Sequence, residues 1–363
     1  MIPADSAPRR LELSGLGGHV SLREVAAFYR ANRTRYGRRW WVIAAIVVGY
    51  LTGQMILIAA LVPIGVYDER MQRTVTAIIA LITGAYAAAL MALIWRNVAR
   101  VVRIDRTARA NGLAYDDRAP LAVFSGTPLQ RPGRQEVSDV LRPAASVPPR
   151  RAIIEQDAAP HAAPVDVSGT AAPTPFILAT FAASPGLISR RAGVAEIVLE
   201  RAVPNIVLEN RRAGIMRRRG DRFRPQQRLR LEGDFDRTFA LYCPTGYERD
   251  ALYIFTPDLM ALLLDLALDL EVELVGDRLV LYSGSPWRLW KAARFARVVT
   301  MVDAIAAKVR RQTALYGDER SAATGVIAAG GRRLRARPSA GSVIAIALPL
   351  GLAFYGLVDL VTP

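Results

Sequence analysis

Three stretches of this chain are almost wholly apolar and carry no charge: Trp40 to Tyr67, Thr74 to Trp95 and Pro338 to Val358. A helix needs about 20 residues to cross the hydrocarbon core of a bilayer. Each stretch therefore predicts a transmembrane helix. Trp40, Trp41 and Tyr67 bracket the first, where amphipathic rings favour the headgroup layer. Only the short charged loop from Asp68 to Arg73 separates the first two, which predicts an antiparallel hairpin. The third contains Pro349, Gly351 and Gly356 and is read as a further crossing. The first apolar run begins late and is longer than a signal-peptide core, so no cleavable signal is expected.

Between Trp95 and Pro338 the apolar runs shorten to strand and amphipathic-helix length. Residues 98–125 predict a short helix followed by a strand or loop, with Asn111-Gly112 as a helix stop. Residues 126–172 hold seven prolines and no aromatic residue, the composition of a linker. Strands are expected at Pro175–Phe181, Ala195–Glu200, Asn205–Asn210 and Phe239–Tyr242, with Pro204 in a turn. Arg228 to Leu231 alternates polar and apolar, as a half-buried strand does. Pro244-Thr245-Gly246 is a turn, and Ala251–Phe255 is either extended or a helical turn. Thr256-Pro257-Asp258 is a helix start, the helix running to about Asp269. Val272–Val275 and Arg278–Tyr282 flank Gly276-Asp277 and predict a hairpin. Ser285-Pro286 opens a last helix to about Arg311, with Leu289, Ala292, Phe295, Val298, Val299, Val302 and Ile305 as its apolar stripe.

The expected fold class is an α+β cytoplasmic domain attached to α-helical transmembrane segments. Its parts are an N-terminal cytoplasmic segment (1–39), a two-helix hairpin (40–95) and a juxtamembrane region with flexible linker (96–172). The α+β domain (173–312), a tether (313–340) and a third transmembrane helix (341–359) follow.

Charge adds an orientation. The formal net charge is +16, and Lys291 and Lys308 are the only lysines, so the excess is arginine. Eight arginines precede Trp40, a group from Arg96 to Arg109 follows the second stretch, and Arg332, Arg333, Arg335 and Arg337 precede the third. The hairpin loop has only Arg70 and Arg73, beside Asp68 and Glu69. The positive-inside rule then places the N-terminus and central domain in the cytoplasm and the C-terminus outside, in a multi-pass inner or plasma membrane protein.

From Glu232 to Leu266, with the strands and long helix after it, the chain resembles the bacterial family known as the domain of unknown function 3137. Phe235 looks like that family's leading Phe, and Phe239, Leu241 and Tyr242 match its strand. Ala251, Tyr253, Ile254, Phe255, Thr256 and Pro257 resemble its helix start, with Leu252 where the family often has Arg. The resemblance implies a membrane-associated protein and no activity.

Candidate chemistry is sparse. His19 and His161 have no metal-ligand neighbours at useful spacing, and no cofactor motif occurs. Cys243 is a lone thiol with no nearby histidine, read as a small buried hydrophobe or inert thiol before a nucleophile. Asp234, Asp236, Glu248, Asp250 and Asp258 gather in one stretch and are read as solvated turns before an acid–base site. The strongest candidate is the basic run with Arg217, Arg218, Arg219, Arg222 and Arg224, able to meet anionic lipid or an acidic protein. Phe223 is its only aromatic, thin provision for stacking nucleic-acid bases. The expected partners are membrane lipids and that acidic or anionic surface. The function expected is a membrane-tethered interaction or scaffold role, with an enzyme acting on lipid or peptide as the alternative.

Overall fold

The computed structural model describes residues 11–31, 49–50, 53, 69–119, 124–129, 135–144, 176–183, 190–212, 223–231, 233–321 and 325–335. The chain forms two compact units, Glu12–Asn111 and the rest, Met1–Leu11 with Gly112–Pro363.

The first unit holds helices α1 (Ser14–Gly17), α2 (Leu22–Ala31) and α3 (Glu69–Ala110). A reciprocal capping box starts α2. The Glu24 amide donates to Ser21 Oγ (3.2 Å), and the Ser21 amide donates to the Glu24 carboxylate (2.8 Å). Val25 and Phe28 of α2 pack with Val20 against Val98, Ala99 and Val102 of α3. Arg103 and Arg106 of α3 donate to the carbonyls of Gly18 (3.1 Å) and Gly15 (2.7 Å). Gly15 permits that approach, because a Cβ there would stand 2.3 Å from Thr107 Oγ1. The second apolar stretch, Thr74 to Trp95, thus lies within a helix that continues well beyond it. Apart from residues 49–50 and 53, the first crossing lies outside the described residues, as does the third.

The second unit is α+β with an antiparallel sheet in the order β1-β2-β3-β4-β6-β5, and β7 also pairs with β4. The strands are β1 (Leu113–Ala119), β2 (Gln135–Pro143), β3 (Phe176–Ala183), β4 (Arg190–Asn210), β5 (Arg228–Leu229), β6 (Phe239–Tyr242) and β7 (Leu270–Ser283). The long β4 carries β3 along its first half and β6 along its last residues, with β7 on the opposite edge. Helices α4 (Gly233–Thr238), α5 (Glu248–Ile254), α6 (Pro257–Leu266) and α7 (Ala292–Thr313) complete the unit. The expected stripe of α7 is buried at Phe295, Val298, Val299, Val302 and Ile305, whereas Ala292 is exposed at the helix start. This helix packs on β4 and α6. A separate core gathers Phe124, Leu129, Val137, Phe181, Val280 and Tyr282, among others. Side chains alternate along a strand, so Val280 and Tyr282 face that core while Leu279 and Leu281 face the other way. All four are buried, so β7 is covered on both faces.

Several expectations change. Ala195–Glu200 and Asn205–Asn210 belong to one strand, and the Pro204 turn does not form. Pro204 falls between Val203 and Ile206, where the register with β7 shifts, so its missing N–H costs no regular ladder bond. The hairpin at Gly276-Asp277 is likewise one strand; Gly276 has φ +56° and sits opposite Val203 at the irregularity. Between the Gly193–Ser283 and Leu208–Val272 pairs the chain takes fifteen steps on β4 and eleven on β7, so β4 bulges.

The last helix starts at Ala292 rather than Ser285-Pro286. The intervening segment is held as a strand extension: the Gly193 amide donates to the Ser285 carbonyl (2.9 Å), and Trp287 Nε1 donates to the Val194 carbonyl (2.9 Å). Gly193 makes room for that indole, since a Cβ would lie 2.5 Å from it. The helix at Pro257 stops at Leu266 instead of about Asp269, and Ala251–Phe255 falls largely within α5. Thr256 does not cap α6 through its side chain; its hydroxyl accepts from Gln312 of α7 (3.3 Å). Within the expected linker, 126–172, residues 135–143 form β2, whose Val137, Val140 and Leu141 are buried. The described part of the expected tether, 314–321 and 325–335, is also tied to the domain. The Leu334 amide donates to Asn205 Oδ1 (2.9 Å), and Ile327 is buried.

Candidate functional site

Arg217, Arg218, Arg219 and Arg222 lie outside the described residues. Arg224 is exposed and precedes a 3-10 turn at Pro225–Gln227 that leads into β5. That turn is the meeting point of two arginine groups far apart in sequence. Gln227 Oε1 accepts from the Arg335 amide at 3.2 Å, a contact across 108 residues. Asp236 of α4 accepts from both Arg211 (3.0 Å) and Arg228 (3.0 Å), which draws the end of β4 towards β5. Among the described residues Arg224, Arg230 and Arg335 make no ion pair, and all three are exposed. Phe223, the one aromatic of the run, is turned to the interior, with its ring 5.1 Å from that of Tyr242 and against the inner core.

The clustered carboxylates do not converge. Asp234 pairs with Arg237, Asp236 with Arg211 and Arg228, and Asp258 with Lys308. Glu248 accepts from the Gly246 amide (3.1 Å). Asp250 belongs to a polar knot that fastens the segment after α7. Tyr316 donates to Asp250 (2.8 Å) and Tyr247 donates to Asp318 (2.8 Å). Arg320 lies over the Tyr247 ring at 4.3 Å and pairs with Asp250 (3.1 Å) and Asp318 (3.4 Å). Desolvation, with the bond to Asp318 added, pushes the Tyr247 hydroxyl up to about 12. Desolvation also acts on Asp318, but bonds from the Ala328 and Arg320 amides outweigh it and hold that carboxyl below its usual range.

Two buried carboxylates, not singled out by the sequence pattern, grip the segment 124–129. Glu273 accepts from the Thr127 amide (3.0 Å) and hydroxyl, from Tyr282 (2.7 Å) and from Asn205 Nδ2 (3.3 Å). Glu196 accepts from the Ser125 amide (2.7 Å) and hydroxyl (3.2 Å), with Arg278 at 3.6 Å. Burial raises the pKa of both, against the opposing pull of those donors. Gly126 lies between, where a Cβ would meet the Tyr282 hydroxyl at 1.8 Å. These bonds tie the segment 124–129 to β4 and β7, so the pair works as a clamp.

Cys243 is buried, and desolvation with Glu248 and Asp250 nearby pushes its thiol up to about 12, far from a nucleophilic thiolate. Among the described residues no three His, Cys, Asp or Glu side chains could jointly hold a metal ion.

The long helix differs in kind. Ile78, Leu81, Ile82, Tyr86, Met91 and Leu93 of α3 are each at least half exposed. Among the described residues this is the one helix long and apolar enough to cross a membrane. Comparison with family models, with curated proteins and with solved structures gives no match.

Proposed function

We propose that the chain is a membrane-tethered interaction or scaffold protein whose α+β unit works at the cytoplasmic surface of the inner or plasma membrane. The observation that carries this reading is the row of large apolar side chains exposed on α3. Thr74 to Trp95 spans about 33 Å as a helix, close to the hydrocarbon thickness. Water is a poor environment for such a surface, and lipid covers it without further cost. The uncharged runs Trp40–Tyr67 and Pro338–Val358 supply two further crossings in this reading, and the arginine flanks set the orientation.

The polar clusters of the α+β unit favour interaction over catalysis. The knot at Tyr247 and the clamp at Glu273 spend their groups on one another.

Reporter fusions at Ala158 and Pro363 test the topology. The reading expects them on opposite sides of the membrane; the same side for both defeats the three-crossing arrangement. Carbonate extraction tests the tether itself, with the chain expected to stay in the membrane pellet.

A further inference from the structure

The turn at Pro225–Gln227 joins two arginine groups that the sequence keeps apart. Arg335 is bonded through its amide to Gln227 Oε1, and the Gln227 amide donates to the Arg224 carbonyl (3.0 Å) within the turn. Arg228 and Arg230 follow directly, and Asp236 holds Arg211 to Arg228. Asp236 is thus shared by two arginines, so among the described residues bonded here the arginines outnumber the carboxylates. Glu209 on the neighbouring strand is engaged with the Tyr242 hydroxyl.

We infer that Arg224, Arg230 and Arg335 form one face that docks on the phosphates of anionic lipid in the leaflet beside the domain. Three observations select this partner. The guanidinium fork matches phosphate oxygens, and the three exposed side chains have no carboxylate partner among the described residues. The chain passes from Arg335 through Arg337 directly into the uncharged run Pro338–Val358, so the face adjoins the point of entry into the bilayer. Phe223 is packed on Tyr242, which removes the one ring of the run on which a nucleic-acid base would stack. The face rests on the tether reading above and gives it a ligand: the domain lies flat on acidic lipid instead of swinging free.

The test uses the full chain in nanodiscs of phosphatidylcholine, or of phosphatidylcholine and phosphatidylglycerol in equal parts. A spin label at Gln226→Cys, an exposed site in the turn, reports contact with lipid; Cys243 is buried and stays unlabelled. Docking is expected in the anionic discs alone and is expected to weaken as salt is raised. Each arginine near such a surface favours docking about fivefold, so Arg224→Ser, Arg230→Ser and Arg335→Ser together lower the docked-to-undocked ratio about a hundredfold. The same three positions changed to Lys keep docking, which separates lost charge from lost folding. Equal contact in both disc types, an unchanged ratio in the serine variant, or capture of a single-stranded oligonucleotide in preference to anionic lipid overturns the inference. A chain that stays out of the discs defeats the tether reading and not the face. The face is then read by flotation of the same protein with vesicles of the two compositions, where binding to anionic vesicles upholds it and no binding overturns it.

Discussion

The sheet unit and the long helix treat their side chains in opposite ways. Along β7 the runs on either side of the Gly276 irregularity, Leu270–Leu274 and Leu279–Ser283, are buried, and even Glu271 and Glu273 are shut away from water. Along α3, by contrast, Ile78, Leu81, Ile82, Tyr86, Met91 and Leu93 stand exposed. A water-facing fold can bury a carboxylate when enough donors meet it, as Thr127, Tyr282 and Asn205 meet Glu273. It has no comparable way to stabilise a helix with apolar side chains on its outside. The two units thus differ in what they bury: the sheet unit encloses even carboxylates, while the helix leaves apolar side chains outside, the surface on which the proposed membrane tether rests.

Breaking the sheet side has the largest expected effect. Phe295 is fully buried between α7 and the sheet, so Phe295→Ala costs about 3–5 kcal/mol of stability. Denaturant unfolding of the detergent-purified chain, followed through tryptophan fluorescence, measures it. A loss below about 1 kcal/mol means this contact is not the core the fold depends on.

Next comes the helix. Leu81→Arg places a charge near the middle of the apolar stretch and penalises insertion by about 3 kcal/mol. The fraction released by carbonate extraction should rise while the unfolding midpoint of the sheet unit stays put. If extraction is unchanged, α3 does not lie in lipid.

The clamp sharpens the comparison. Glu273→Gln turns an amide N–H₂ towards donors that need an acceptor, at about 1–3 kcal/mol. The pH dependence has a definite sign. Burial raises Glu196 and Glu273, so the folded chain keeps their protons to higher pH than the unfolded chain does. Their contribution is complete below the ordinary carboxylate range and is lost as pH rises through the raised values. Wild-type stability should therefore decline towards neutrality more steeply than that of Glu273→Gln. Parallel profiles for the two proteins would show that Glu273 is not the titrating group.

The smallest effect is at the knot. Asp318→Asn removes a carboxylate that is held down, whose contribution is present above the ordinary range and fades as pH falls through its lowered value. The loss is about 1 kcal/mol at neutral pH. Its visible consequence is faster amide exchange at Ala328, which donates to Asp318 (2.9 Å). Exchange at Phe239, in the sheet, should not change.

Much of the local structure was legible in the chain. Asn111-Gly112 stops α3, with Gly112 at φ +67°. Pro257 starts α6, Phe239–Tyr242 is a strand, and the stripe from Phe295 to Ile305 is buried. The capping box of Ser21 and Glu24 is likewise a local S-x-x-E signal. The clamp and the joined arginine face were not available. Gln227 and Arg335 carry no mark that they will meet, and Glu273 looks like any polar residue of an alternating strand.

What the chain determined alone is what rests on neighbours a few residues apart: caps, helix stops, the period of a buried stripe and the uncharged runs of bilayer length. Whether Pro204 and Gly276 turn the chain or merely bend it was decided by β4 and β7 lying alongside each other. A long partner strand supplies hydrogen bonds on both sides of an irregularity, and no local rule contains that partner. The same holds for the buried glutamates, whose burial is tolerated only because donors distant in sequence arrive to meet them.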